Sequence, residues 1–216
     1  MGKNIEQSSH QHETFLEKVY SLAIDGIPKV DKPIAQLVTE YKSKHGSSED
    51  AIKKFVKIQK LKTTTTGFVT GLGGLITLPA TIPIDLASSL YIEIRMIAVI
   101  AALRGYNIND DRVKTLVYIC LVGNSVGDVI KQVGIKGGEK LVAKKLLPKI
   151  SGEVIKKINQ KVGFRLLTKS GSKGLVNFGK AIPVFGGVVG AVYNNVETGF
   201  FAKMAKKVFN EDADEL

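Results

Sequence analysis

The side chains of this chain that could do chemistry are few, and Gly123-Asn124-Ser125-Val126-Gly127 is the most suggestive group. Its G-x-S-x-G spacing is that of a nucleophile elbow, where a tight strand-to-helix turn exposes a serine hydroxyl. The flanks fit superficially, with apolar Val117–Val122 before it and Asp128-Val129-Ile130 after it. A serine alkoxide does not form unaided near neutral pH, so such a hydrolase needs an acid and an imidazole base further along the chain. The only histidines, His10, His12 and His45, lie upstream, and no triad in that order can be assembled. Lys131 or Lys136 would have to be desolvated to serve as base, yet both open the most cationic stretch of the chain. Ser125 is therefore read as structural, with Gly123 and Gly127 serving a helix bend or a close approach. A hydrolase using Ser125, with only Asp85, Glu93 and Asp128 to assist it, is the last alternative.

Gly174-x-x-x-x-Gly179-Lys180-Ala181 falls one residue short of a P-loop. The missing Ser or Thr is the Mg²⁺ ligand, and no strand precedes the glycines. His10 and His12 stand in a polar stretch with no Cys or acidic partner at ligand spacing. No catalytic residue, metal site or cofactor is expected.

The charge is more informative. The net charge of +11 is concentrated in residues 131–180, where 13 Lys/Arg face two acids, Glu139 and Glu153. The remaining 166 residues hold 18 basic and 18 acidic side chains and are neutral in sum. Within the basic segment Val154, Ile155, Ile158, Val162 and Leu166 share one side of a helix, with lysines on others. Lys144, Lys145, Lys149, Lys156, Lys157, Lys161 and Arg165 are the candidate contacts to an anionic surface. A lysine near anionic lipid contributes about 1 kcal/mol, so four to six would give roughly 4–6 kcal/mol of reversible attachment. A solvated face would need no partner at all. Nucleic acid is the poorer fit, because Arg165, Phe164 and Phe178 are all the segment offers for stacking on bases.

The elements that must position these residues are helical. Phe15, Leu16, Val19, Tyr20, Ala23 and Ile24 repeat at helical spacing and stop near Gly26 and Pro28. Ile34, Leu37, Val38 and Tyr41 make a second stripe, ending at His45-Gly46. Ser47-x-x-Asp50 fits a capping box opening a third helix, with Ile52, Phe55, Val56 and Gln59 on one side. Ile84–Leu103 follows Pro83, precedes Gly105, and is apolar all round apart from Asp85, Glu93 and Arg95. Such a helix is central in a core or lies in a bilayer, and its charges at both ends favour the core. Asp85 is expected to cap this helix, to face water, or to pair with a cation such as Arg95. Asn109-Asp110-Asp111 starts the next helix, and Gly137–Leu147 and Val154–Leu167 follow around Pro148. Ala181–Val196 is uncharged, rich in glycine and opened by Pro183, and a last helix runs to Phe209 before an acidic tail. No alternating strand pattern is present. The fold class is all-α: a compact multi-helix domain with Gly/Pro-rich apolar central and C-terminal helices.

Two blocks together resemble the EcsC family of bacterial proteins. The first is Leu78-Pro79, then Ile82-Pro83-Ile84-Asp85-Leu86, leading through Arg95-Met96-Ile97-Ala98 to Gly105-Tyr106-Asn107. The second is Ala181-Ile182-Pro183-Val184-Phe185-Gly186-Gly187-Val188-Val189-Gly190-Ala191, then Asn194, and on to Ala205 and Phe209. The resemblance divides the chain into an N-terminal helical extension at 1–50, an EcsC-like helical domain at 51–210 and an acidic tail at 211–216. It implies a helical fold and a bacterial or phage setting, and it carries over no catalytic residue. The family's name comes from an ABC-transporter operon, which implies a membrane transporter or another protein as a partner. Asp85, Arg95 and Asn194 are the expected structural polar residues.

Cys120 is the only cysteine, which fits a reducing compartment, and the polar start Met1–Gln11 does not read as a signal peptide. The expectation is a non-enzymatic helical protein attached peripherally to the cytoplasmic face of a membrane. The alternative is an inner-membrane or pore-forming protein with an apolar hairpin at 63–103.

Overall fold

A computed structural model describes residues 2–28, 30–63, 84–123, 126–135, 142–171 and 199–210, with side chains at 14–28, 30–61, 87–123, 126–135, 142–166 and 199–210. These residues form α1 (Gly2–Asp25), α2 (Ile34–Lys44), α3 (Ser48–Thr63), α4 (Ile84–Leu103), α5 (Asp111–Leu121), α6 (Val126–Gln132), α7 (Ala143–Leu146) and α8 (Gly152–Gly171). A 3₁₀ turn at Leu147–Lys149 follows α7, and a ninth helix, α9, spans 199–208. No strand occurs among the described residues, and the all-α class holds.

Several helix boundaries follow from local hydrogen bonds at their ends. The Asp50 amide donates to Ser47 Oγ at 3.1 Å, satisfying one orphan donor of α3. The Asp50 carboxylate turns back onto the same hydroxyl at 2.7 Å rather than onto the Ser47 amide. Asp110 caps α5 by accepting from the Arg112 amide at 2.8 Å. Helix α4 closes with Gly105 N–H on the Ala102 carbonyl and Tyr106 N–H on that of Ala101, each at 3.0 Å. Two expectations need correction. Helix α1 begins at Gly2, so the polar stretch to Gln11 is helical too. In place of one helix at 137–147, the described part is the short α7 and its 3₁₀ turn, where Pro148 cannot supply an amide to continue the ladder.

Helix α4 is the axis, packed by α1, α2, α3 and α5. Its apolar residues have no solvent-facing side to spare: Ala87, Leu90, Tyr91, Ile94 and every residue from Met96 to Ala101 are buried. Helix α1 places Phe15, Leu16, Val19, Tyr20 and Ala23 in the same core. The described side chains of the N-terminal fifty residues therefore share one hydrophobic core with the rest. Tyr20 locks this contact, donating to the Ile108 carbonyl at 2.6 Å and meeting Tyr118 edge-on at 5.6 Å.

Among the described side chains of α4, Arg95 is the one charged residue that is fully buried, and it fastens the end of α1 to α4. It donates to the Ala23 carbonyl at 2.6 Å and also to that of Lys32. Its Nε lies 3.6 Å from Asp31 Oδ2, with both side chains 3% exposed. Tyr91 donates to the same carboxylate oxygen at 3.2 Å. Arg95 is thus met by Asp31, while the side chain of Asp85, read above as a helix cap, a water-facing carboxylate or a partner for a cation, lies outside the described residues. Gly26 makes the close turn possible. It has φ +74°, and a Cβ there would sit 2.6 Å from the Asp31 carbonyl oxygen.

Candidate functional site

Two cationic surfaces emerge once the core is subtracted. The first is the exposed side of α7 and α8. Burying Ile158, Asn159 and Val162 turns the lysines of α8 outward. Lys144, Lys145, Lys149, Lys156 and Lys157 are exposed, and Lys161 and Arg165 are half-buried. Glu153 pairs with Lys157 one turn along, at 2.5 Å, and Lys161 donates to Gln132 Oε1 at 3.0 Å. Phe164, an aromatic of the core-forming type, is 61% exposed on this helix. At 3.6 residues per turn Lys157, Lys161 and Phe164 fall within an arc of about 60°, with Lys156 and Arg165 flanking it. The sequence reading named Phe164 only as an aromatic that could stack on a base and did not group it with the lysines; its i+3 and i+7 spacing from Lys161 and Lys157 was the available signal.

The second surface was not expected. Helices α3 and α9 lie antiparallel: Lys206 pairs with Glu49 in the first turn of α3, and Lys60 near its other end lies over Gly199. Between them runs an open groove of about 590 Å³ into which Lys53, Lys57, Lys60, Lys203 and Lys206 project. Its floor is apolar, made of Val56, Leu61, Gly199 and Ala202. Leu61 is 62% exposed. Glu49 anchors one end, taking Arg104 at 2.6 Å as well as Lys206. The groove's lysines lie outside residues 131–180, among the 166 residues that are neutral only in sum, so the net-charge profile concealed them.

The remaining sequence candidates separate. Ser125 and Asn194 lie outside the described residues, as do the P-loop-like run and both small-residue pairs of the second apolar block. Asp85 lies in the first turn of α4, its side chain outside the description. Gly123 has a structural use, since it ends α5 at φ +57° and a Cβ there would meet the Phe200 ring at 2.9 Å. Gly127 faces open space, so a close approach does not account for it. Cys120 is fully buried, and burial pushes its thiol far above the usual range. Among the described residues no cluster of three or more His, Cys, Asp or Glu is placed to hold a metal ion. None of the described helices is long and apolar enough to cross a membrane. Residues 64–83, most of the hairpin considered above, fall outside that statement.

Neither a curated protein nor a solved structure matches this chain. A family model, that of the EcsC protein family, matches residues 46–211. This range begins one residue before the Ser47 cap of α3 and takes in α4 to α9, leaving α1 and α2 outside the matched region although they share its core. The match spans well over half the sequence, and the chain belongs to the EcsC protein family.

Proposed function

We propose that this protein is a non-enzymatic module that attaches peripherally to an anionic membrane surface through the exposed side of α7 and α8. The observation that carries this is Phe164, 61% exposed beside Lys157 and Lys161 on one side of α8. An exposed aromatic ringed by cations suits an interface, where the ring enters the acyl boundary and the ammonium groups meet lipid phosphates. Five exposed lysines contribute about 1 kcal/mol each near anionic lipid, and the ring adds roughly 1–2 kcal/mol of apolar burial. The sum corresponds to a dissociation constant on the order of 10–100 µM, reversible and weakened by salt.

A cytoplasmic location and a transporter partner belong to the same proposal, supported by the reducing-compartment cysteine usage and by family membership. Absence of catalysis is also part of it. Gly123 of the G-x-S-x-G run serves the packing of Phe200, and no histidine follows Ser125.

Co-sedimentation tests the attachment. The protein pellets with vesicles containing anionic phospholipid at low salt, stays in solution with neutral vesicles, and is released as salt rises. Equal recovery in the supernatant under all three conditions refutes it. Carbonate treatment of native membranes releases the protein; retention in the pellet would favour insertion instead. A fluorophosphonate probe leaves the wild type unlabelled. Labelling lost in Ser125→Ala would reinstate a hydrolase.

A further inference from the structure

The groove between α3 and α9 is separate in position from the α7–α8 surface and differs from it in form. One surface is a convex helix side; the other is a concavity with cationic walls and an apolar floor. Lys57 on the α3 wall and Lys203 on the α9 wall are both exposed and make no ion pair among the described residues. Lysine ammonium groups are compact point charges that suit phosphate oxygens without demanding a fixed orientation. The floor selects among phosphates. Val56, Leu61 and Ala202 would gain nothing from a bare phosphate but would cover the first carbons of an acyl chain. Lysine stems extend that apolar surface up the walls.

Nucleic acid is a poor occupant, because among the described residues no arginine or aromatic side chain lines the groove to stack on a base. The sequence joining the groove points the same way. From Thr64 to Ile84, directly after α3, there is no charge, and Ala181 to Val196, ending three residues before Gly199, has none either. In sequence the first follows α3 and the second precedes α9, and among the described residues Glu49, Arg104 and Lys206 form a charged cluster at one end of the groove.

We propose that this groove binds a single anionic phospholipid, with its phosphate between Lys57 and Lys203 and its proximal acyl carbons along Val56, Leu61 and Ala202. Lys53 and Lys60 stand at the rim. The proposal rests on membrane attachment only for access to lipid, and the two can fail separately.

The test titrates the full-length chain with dihexanoyl phosphatidic acid below its micellar concentration, followed by calorimetry. Glycerol 3-phosphate and a hexaglutamate peptide are run alongside. Saturable 1:1 binding of the lipid is expected, at least about tenfold tighter than of either soluble anion, since every 1.4 kcal/mol from the floor is tenfold. Lys57→Ala/Lys203→Ala weakens it about tenfold or more, and Leu61→Ser weakens the lipid while leaving glycerol 3-phosphate unchanged. Lys156→Ala/Lys157→Ala on α8 leaves both unchanged. All the altered side chains are exposed, so circular dichroism should match the wild type.

No saturable lipid binding, or equal affinity for glycerol 3-phosphate, overturns the proposal. Equal affinity for hexaglutamate would mark the groove as an acidic-peptide site and overturns it too. Wild type that pellets with anionic vesicles but does not bind the short-chain lipid leaves attachment standing and removes the groove. Binding of the short-chain lipid without pelleting does the reverse.

Discussion

Replacing Arg95 by Met tests the joint between α1 and α4. The substitution keeps much of the volume and removes a guanidinium whose side chain is 3% exposed. Three acceptors lose a donor or counter-charge: the carbonyls of Ala23 and Lys32 and the carboxylate of Asp31. Breaking a buried pair by deleting one partner costs about 3–5 kcal/mol, because the remaining charge keeps its desolvation penalty. Domains are stable by roughly 5–15 kcal/mol, so about a fifth or more of the total is at stake. With a urea dependence of about 2–3 kcal/mol per molar, the midpoint falls by roughly 1–2 M. Asp31→Asn strands the guanidinium instead and loses about 3 kcal/mol. Combining Arg95→Met with Asp31→Asn should lose less than the sum, by about 1–3 kcal/mol, because the second change removes a charge the first had orphaned. Urea titrations of all four proteins close this cycle. Strict additivity, or a midpoint shift under about 0.3 M for Arg95→Met, would refute the reasoning.

Lys156→Glu/Lys157→Glu should abolish pelleting with anionic vesicles at about 0.1 M salt, since two attractive lysines worth about 1 kcal/mol each become repulsive; unchanged pelleting contradicts attachment through α8. Gly26→Ala should unfold the protein at least about 2 kcal/mol more easily, because the new Cβ meets the Asp31 carbonyl oxygen at 2.6 Å in a left-handed backbone; urea titration reads it. Asp110→Ala should cost about 1 kcal/mol near neutral pH, as loss of an N-cap does. The Arg112 side chain, then the Arg112 amide, holds the Asp110 carboxyl at about 2. A lowered pKa means its contribution is complete above the unfolded value near 4 and disappears as pH falls toward 2. The difference between wild type and Asp110→Ala should therefore vanish across that window and be flat above it. Cys120 should resist a thiol reagent in the native state and react at the unfolding midpoint; rapid native labelling would contradict its burial.

The helical class, the stripe of α1, the caps at Ser47 and Asp110 and the central place of α4 were all legible in the sequence. Each depends on residues within a few positions of one another, where spacing alone decides which side chains share a face. The family could be read as well, because its two blocks are contiguous runs. The cations of α7 and α8 were legible for the same local reason.

What escaped came from pairings across the chain. Asp31 meets Arg95 because α1 folds back along α4, bringing a carboxylate 64 positions earlier against the guanidinium. Phe164 is exposed because α8 spends Ile158 and Val162 on the core, and composition cannot say which apolar residues a helix leaves over. The lysine groove is the clearest case. Lys57 and Lys203 are separated by 146 positions, and acids elsewhere in the chain offset them in the total, since net charge sums along the chain while a site sums across space. Only the antiparallel packing of α3 and α9, fixed where Lys206 and Arg104 converge on Glu49, puts like charges face to face over an apolar floor.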